Sequence, residues 1–129
     1  MSKKKNHPIS GGEAVVECLK AYNIKYVFGL IGSATMELFD ALYHEKSITF
    51  IDVRDERTGA HMADAFARAS GSNGVIIAGQ NGPGATNLVT GVAQAKAAFS
   101  PLLSIAGAIA TEHQGKDAFQ EVDQQKLFE

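Results

Sequence analysis

The chain alternates between short apolar runs and longer segments whose apolar residues return every three or four positions, with turn residues marking each change. Tyr26-Val27-Phe28, Ile48 to Val53, Val75 to Ala78 and Leu102 to Ala106 read as strands. Between them lie four helical patterns. Ser10 and Glu13 have capping-box spacing ahead of Val15, Cys18, Leu19 and Tyr22, in a helix that should end near Asn23. Gly29 is expected to end the first strand, and the Ser33 hydroxyl to cap a helix carrying Met36, Phe39, Leu42 and Tyr43. A third helix is expected from Asp55 to Ser70, stopped by Gly71, and a fourth from Gly84 to Ala98, broken by Ser100-Pro101. Strands alternating with helices predict an α/β fold of three layers, a mostly parallel sheet with helices on both faces.

With 129 residues, 45% of them hydrophobic, the chain can bury a core of its own, and one domain is the default. A net charge of -2, with acids and bases interspersed, leaves no basic footprint for nucleic acid and no charge block for a membrane surface. The single cysteine, Cys18, rules out an intramolecular disulfide, suits a reducing, cytoplasmic compartment, and reads as a small buried hydrophobe. Residues 1–8 carry three lysines with no apolar stretch behind them, so a solvated tail is expected there rather than a signal peptide. From Thr111 onward the chain is mostly polar, with no closing strand or helix cap in view. The expected organisation is a disordered tail at 1–8 and one domain from 9 to 129, cut before its C-terminal end.

Two loops should carry the chemistry. Glu56 heads a helix directly behind the strand Ile48 to Val53, and Gln80-Asn81-Gly82-Pro83-Gly84 follows the next strand in the same way. Open parallel sheets keep their ligands at the carboxyl edge, where both loops should emerge. Taken alone, Glu56 is equally a first-turn surface glutamate beside Arg54 and Arg57, and Gly82-Pro83-Gly84 an ordinary strand-to-helix turn. The alanine-rich third and fourth helices allow close approach by a neighbouring helix. The four histidines have no metal-like spacing with Cys18, no metal site is assigned to this chain, and His61 reads as a satisfied helix histidine.

Taken together, Gly32-Ser33-Ala34-Thr35-Met36-Glu37-Leu38, Glu56 to Ala67, Gly82-Pro83-Gly84-Ala85-Thr86-Asn87 and Asp117-Ala118-Phe119-Gln120-Glu121 resemble the pyrimidine-binding domain of thiamine-diphosphate enzymes. The resemblance is to the acetolactate synthase group, including sulfoacetaldehyde acetyltransferase, and runs in order from about Ile9 to the end. It implies the thiamine-diphosphate-binding fold and an enzyme that decarboxylates or ligates 2-oxo acids. It assigns Glu56 as the carboxyl group bonded to N1' of the aminopyrimidine, the ring whose 4'-imino form deprotonates the cofactor's thiazolium carbon. A helix start favours the ionised glutamate and burial against a ring the neutral acid; in the assembled enzyme the resemblance implies that burial prevails. It further implies cofactor contacts at Gly32, Ser33, Pro83 and Asn87, and substrate contacts at Ala34, Phe119 and Gln120.

The magnesium-binding Gly-Asp-Gly motif of such enzymes does not occur here. The resemblance therefore implies that Mg2+ and the diphosphate are held by a second domain, of the same or a partner chain, so that catalysis needs a homo-oligomer and this chain alone is inactive. Ile31-Gly32-Ser33 and Gln80-Asn81-Gly82 are closer to sulfoacetaldehyde acetyltransferase, whose substrate is a sulfonated aldehyde, whereas Asp117 to Glu121 is closer to acetolactate synthase. The alternatives are that acetyltransferase, a separately encoded subunit as in some sulfopyruvate decarboxylases, and a non-catalytic flavodoxin-like module.

Overall fold

A computed structural model describes residues 8–129, so the expected tail lies, except for Pro8, outside the described residues. Four parallel strands, β1 (Tyr26–Leu30), β2 (Thr49–Asp52), β3 (Gly74–Ala78) and β4 (Leu102–Ala106), form one sheet in the order β2-β1-β3-β4. Helix α1 (Gly11–Ala21) precedes β1, and α2 (Met36–His44), α3 (Glu56–Ser70) and α4 (Pro83–Ala97) make the crossovers.

Side-chain alternation along the strands divides the core in two. Val27, Val75 and Ile77 point to one face and pack with Val16 and Leu19 of α1 and Leu38, Phe39 and Leu42 of α2. Their neighbours Phe28, Ile76 and Ala78 point to the other face, against Ala60 and Ala63 of α3 and Leu88 of α4. Ile76, Ile77, Val27 and Val75 are fully buried, as strands covered on both sides require. The expected three layers are therefore present.

Local signals placed most boundaries. Both halves of the capping box close on α1: the Glu13 amide donates to Ser10 Oγ at 3.1 Å and the Ser10 amide to Glu13 Oε2 at 2.7 Å. Asp55 caps α3, its carboxylate accepting from the amides of Arg57 and Thr58, and Gly71 ends it at φ 68°, in the left-handed region glycine favours.

Several expectations need correction. Gly29 lies inside β1, because a side chain there would run into the Ile77 carbonyl and the Phe50 ring. Ser33 does not cap α2: residues Ser33–Thr35 form a 3-10 turn, and the Ser33 hydroxyl is drawn to Gln80 Oε1 at 2.8 Å. Met36 and Tyr43 are exposed, and Leu38 takes the core position. Cys18 is exposed as well. The buried stripe of α1 is Gly12, Val16 and Leu19, which leaves Cys18 on the flank that looks along β4. His61 is exposed on α3. The polar C-terminal stretch does contain a capped helix, α5 (Gln124–Leu127), with the Asp123 carboxylate accepting from the Lys126 amide.

Part of the alanine content is explained inside the domain. At Gly91 a β-carbon would stand 2.3 Å from that of Ala60, so α3 and α4 touch through their smallest residues, while Ala93 and Ala97 face outward. Gly to Ala in a helix ordinarily gains about 1 kcal/mol. Here Gly91→Ala should instead cost about 1–3 kcal/mol in urea denaturation, because two helices must be wedged apart. Gly11→Ala, where nothing lies within 4 Å, should be neutral or stabilising in the same experiment.

Candidate active site

The chain turns one way from β1 to β2 and the other way from β3 to β4, so the connections that leave adjacent β1 and β3 lead to opposite faces of the sheet. Such a reversal opens a crevice. The loops entering it are bonded to one another: the Ala34 amide and the Thr35 hydroxyl both donate to the Gly79 carbonyl, each at 3.1 Å. Gly32 lies so close that a β-carbon on it would sit 2.4 Å from that carbonyl.

Glu56 begins α3 beyond β2 and is only 5% exposed. The arginines on either side do not pair with it. Arg54 pairs with Asp52, and Arg57 reaches Asp55 at 3.6 Å, all at the exposed surface. Glu56 Oε2 instead accepts from the Asn87 side-chain amide at 2.9 Å, one turn into α4. Its other oxygen, Oε1, lies over Gly84, 3.2 Å from where a β-carbon there would be. The arrangement is a buried carboxylate with one oxygen held by a neutral donor and the other beside a residue without a side chain.

The C-terminal stretch folds back over the same loop as a strap. Asn81 is 6% exposed and donates through Nδ2 to the carbonyls of Phe119, at 3.0 Å, and Gln120, at 2.9 Å. Gln80 Nε2 donates to Gln120 Oε1 at 2.8 Å, and the Gly82 amide to Gln124 Oε1 at 2.8 Å. Gln124 in turn donates to the Gly107 carbonyl at 3.0 Å. Gly82 adopts φ 55°, and a β-carbon on it would strike the Gln120 carbonyl, so only glycine admits the strap.

The structure thus gathers Ser33, Gln80, Asn81 and Gln120 into one network, and Glu56, Gly84 and Asn87 into another. Ala34 and Phe119 line a hollow of about 680 Å³ with Asn81, Ala118 and His113. That hollow lies on the α1 side of the Gly79-to-Gly84 loop, and Glu56 is not among its lining residues. Pro83 is exposed at the start of α4. Gln124 went unnoticed in the sequence, where a glutamine in a polar stretch carries no periodic signal, and Gln80 was noticed only as part of its loop. The glutamines at 120, 124 and 125, just after Phe119, were the available hint.

The chain belongs to the family described as thiamine pyrophosphate enzyme, N-terminal TPP binding domain, whose model matches residues 9–127. That family implies thiamine diphosphate as the cofactor. Among similar proteins are a probable acetolactate synthase large subunit of Methanocaldococcus jannaschii, 46% identical over 93% of this chain and 20% of the relative, and the acetolactate synthase isozyme 3 large subunit of Escherichia coli, 44% identical over 89% of this chain and 20% of the relative. A 2-hydroxyacyl-CoA lyase 2 of Danio rerio is 44% identical over 97% of this chain and 20% of that protein. The chain spans about a fifth of the length of these relatives.

The strap carries its own pH response. Glu121 holds its first turn, accepting from the amides of Gly115 at 2.6 Å and Ala118 at 3.1 Å, and these bonds pull its carboxyl below the ordinary 4.5. A depressed carboxyl contributes its stability above pH 4.5 and loses it as pH falls through the lower folded value. The amide resonances of Gly115 and Ala118 should therefore shift together in acid, and the transition should disappear in Glu121→Gln.

Proposed function

We propose that this chain forms the aminopyrimidine-holding half of the active site in an acetolactate synthase-like, thiamine-diphosphate-dependent enzyme that decarboxylates or ligates 2-oxo acids. What carries the reading is the buried Glu56 carboxylate, bonded to Asn87 and bypassed by the arginines beside it. A surface glutamate would have paired with Arg54 or Arg57. The residues suit a flat heteroaromatic ring: Gly84 bares the backbone where the loop meets Glu56, and Oε1 is the oxygen left beside it.

When bound, thiamine diphosphate supplies a carbon nucleophile for the 2-oxo group. Glu56 holds N1' of its ring and exchanges a proton with it. Gly32, Ser33 and Pro83 wall the ring, and Asn87 borders it. Ala34 and Phe119 face the substrate across the hollow, and Gln120 contacts it from beside Phe119; Gln120, whose Oε1 accepts from Gln80, keeps its Nε2 as a donor for a carboxylate or carbonyl.

The diphosphate and Mg2+ are assigned to a second domain, of this polypeptide or a partner, with the pyrimidine domain extending through residues 9–129 and a homodimer as the smallest active unit. Exposed Ala93 and Ala97 on α4 offer a small-residue face for that assembly. An exposed lone thiol, Cys18, fits the cytoplasm. Among the described residues no helix is long and apolar enough to cross a membrane.

In the full-length enzyme Glu56→Gln should fold normally yet lose turnover by roughly 10²–10⁴-fold, the usual range for a proton-transferring group. Steady-state kinetics within a few-fold of wild type would sink the assignment. Asp55→Asn is the control, since asparagine caps a helix as well as aspartate does.

The 129-residue chain on its own should bind thiamine diphosphate negligibly with or without Mg2+. A micromolar constant by calorimetry would mean about 8 kcal/mol from half a site and would contradict the division proposed.

A further inference from the structure

We infer that Asn87 is a positioning residue that assigns the exchangeable proton of Glu56 to Oε1. The inference rests on the reading that Glu56 meets the cofactor ring, and deepens it by naming which oxygen does so. An unrestrained carboxyl group has two equivalent oxygens and rotates between them. Asn87 removes the equivalence. Its Nδ2 donates to Oε2 at 2.9 Å, and an amide nitrogen is a donor only, so Oε2 must act there as an acceptor. A carboxylic acid carries a single O–H, and its carbonyl oxygen is a far better acceptor than its hydroxyl oxygen, so a donor fixed on Oε2 favours the O–H on Oε1.

The rest of the neighbourhood leaves Oε1 available. The residue beneath it is Gly84, where any side chain would begin 3.2 Å from that oxygen. Arg54 and Arg57 are engaged by Asp52 and Asp55 and do not compete for it. Helices α3 and α4 touch through Ala60 and Gly91, which fixes the separation across which Glu56 and Asn87 meet. The hydrogen bond thus connects the first turns of two crossovers whose spacing is set by packing.

The test is a double-mutant cycle in the full-length enzyme with wild type, Glu56→Gln, Asn87→Leu and the double variant. Leucine has the same number and branching of side-chain heavy atoms as asparagine and cannot donate. Turnover, KM for the 2-oxo acid, and deuterium exchange at the cofactor's C2–H are measured for each. Asn87→Leu should slow turnover and exchange by roughly 10- to 100-fold, the usual loss for a hydrogen bond to a charged group, with KM nearly unchanged. In the Glu56→Gln background the same substitution should cost nothing further, because its route of action is already gone. Additive losses would show that Asn87 acts independently of Glu56 and overturn the inference, as would wild-type rates in Asn87→Leu. Retained activity in Glu56→Gln alone would overturn the proposed function instead.

A measurement without cofactor completes the test. In the 13C spectrum of the unloaded chain, the Glu56 carboxyl resonance, identified by its loss in Glu56→Gln, should shift in Asn87→Leu; an unmoved resonance counts against the bond. Should leucine prevent folding, Asn87→Ser, whose hydroxyl is too short to span the gap, takes its place in both experiments with the same expected outcomes.

Discussion

Backbone lies directly on backbone where the loops after β1 and β3 meet, and the site takes its shape from that contact. Gly32 and Gly79 are both required, since a β-carbon on Gly79 would stand 2.1 Å from the Leu30 carbonyl and one on Gly32 would strike Gly79. The loop after β4 joins them, with Gly107 so close to Ala34 that their β-carbons would be 2.6 Å apart. Three strand ends are thereby drawn together without intervening side chains. Polar side chains on these loops must then satisfy one another, and Ser33, Gln80 and Asn81 do so, while Gln124 of α5 binds the loop backbone at Gly82 and Gly107.

Charge is distributed around this point by a simple rule. The formal ion pairs nearest Glu56 stay at the surface, Asp52 with Arg54 and Asp55 with Arg57, while the buried Asp64 carboxylate further along α3 is paired with the half-exposed Arg68. Among the described residues no lysine or arginine lies at ion-pair distance from Glu56. Around Glu56 and the glycine loop the partners are neutral amides, Asn87 for the carboxylate and the buried Asn81 for the strap. Removing one member of a buried ion pair leaves an uncompensated charge, so a glutamate tied to a buried arginine could not cycle its proton cheaply. A glutamate bonded to an amide keeps a partner in either protonation state.

How much of this was legible follows from what each element depends on. The strands and α1, α3 and α4 could be read because local chemistry determines them: the Ser10 and Asp55 caps, the Gly71 stop and the alternation of Val75, Ile76 and Ile77 act within a few residues. Glu56 was singled out by its place after a strand together with the other three motifs, and its burial is what the sequence alone could not tell from a surface glutamate. Ser33 and Cys18 were misjudged because their surroundings are made by distant segments, a glutamine 47 positions away in one case and the β4 flank in the other. The strap was missed for the same reason. Its residues lack apolar periodicity, and only the loop 38 to 42 residues upstream gives their amides partners.

That difference in how the parts are held bears on what they can do. Glu56 rides on α3, whose inner face is closed against the sheet by Ala60, Ala63 and Ala67 and against α4 by Gly91. Cooperative packing of this kind opens only with the whole fold. Phe119 and Gln120 ride on the strap, where Phe119 is 79% exposed, Val122, Leu127 and Phe128 are also exposed, and side-chain hydrogen bonds supply much of the hold. Such a segment yields at far smaller free energy. In the function proposed, the proton-handling carboxylate needs a fixed direction, and substrate recognition benefits from a surface that adjusts as the rest of the enzyme closes on it. The fold supplies the first by apolar burial and the second by a lacing of neutral amides, placing two mechanical regimes on either side of one glycine loop.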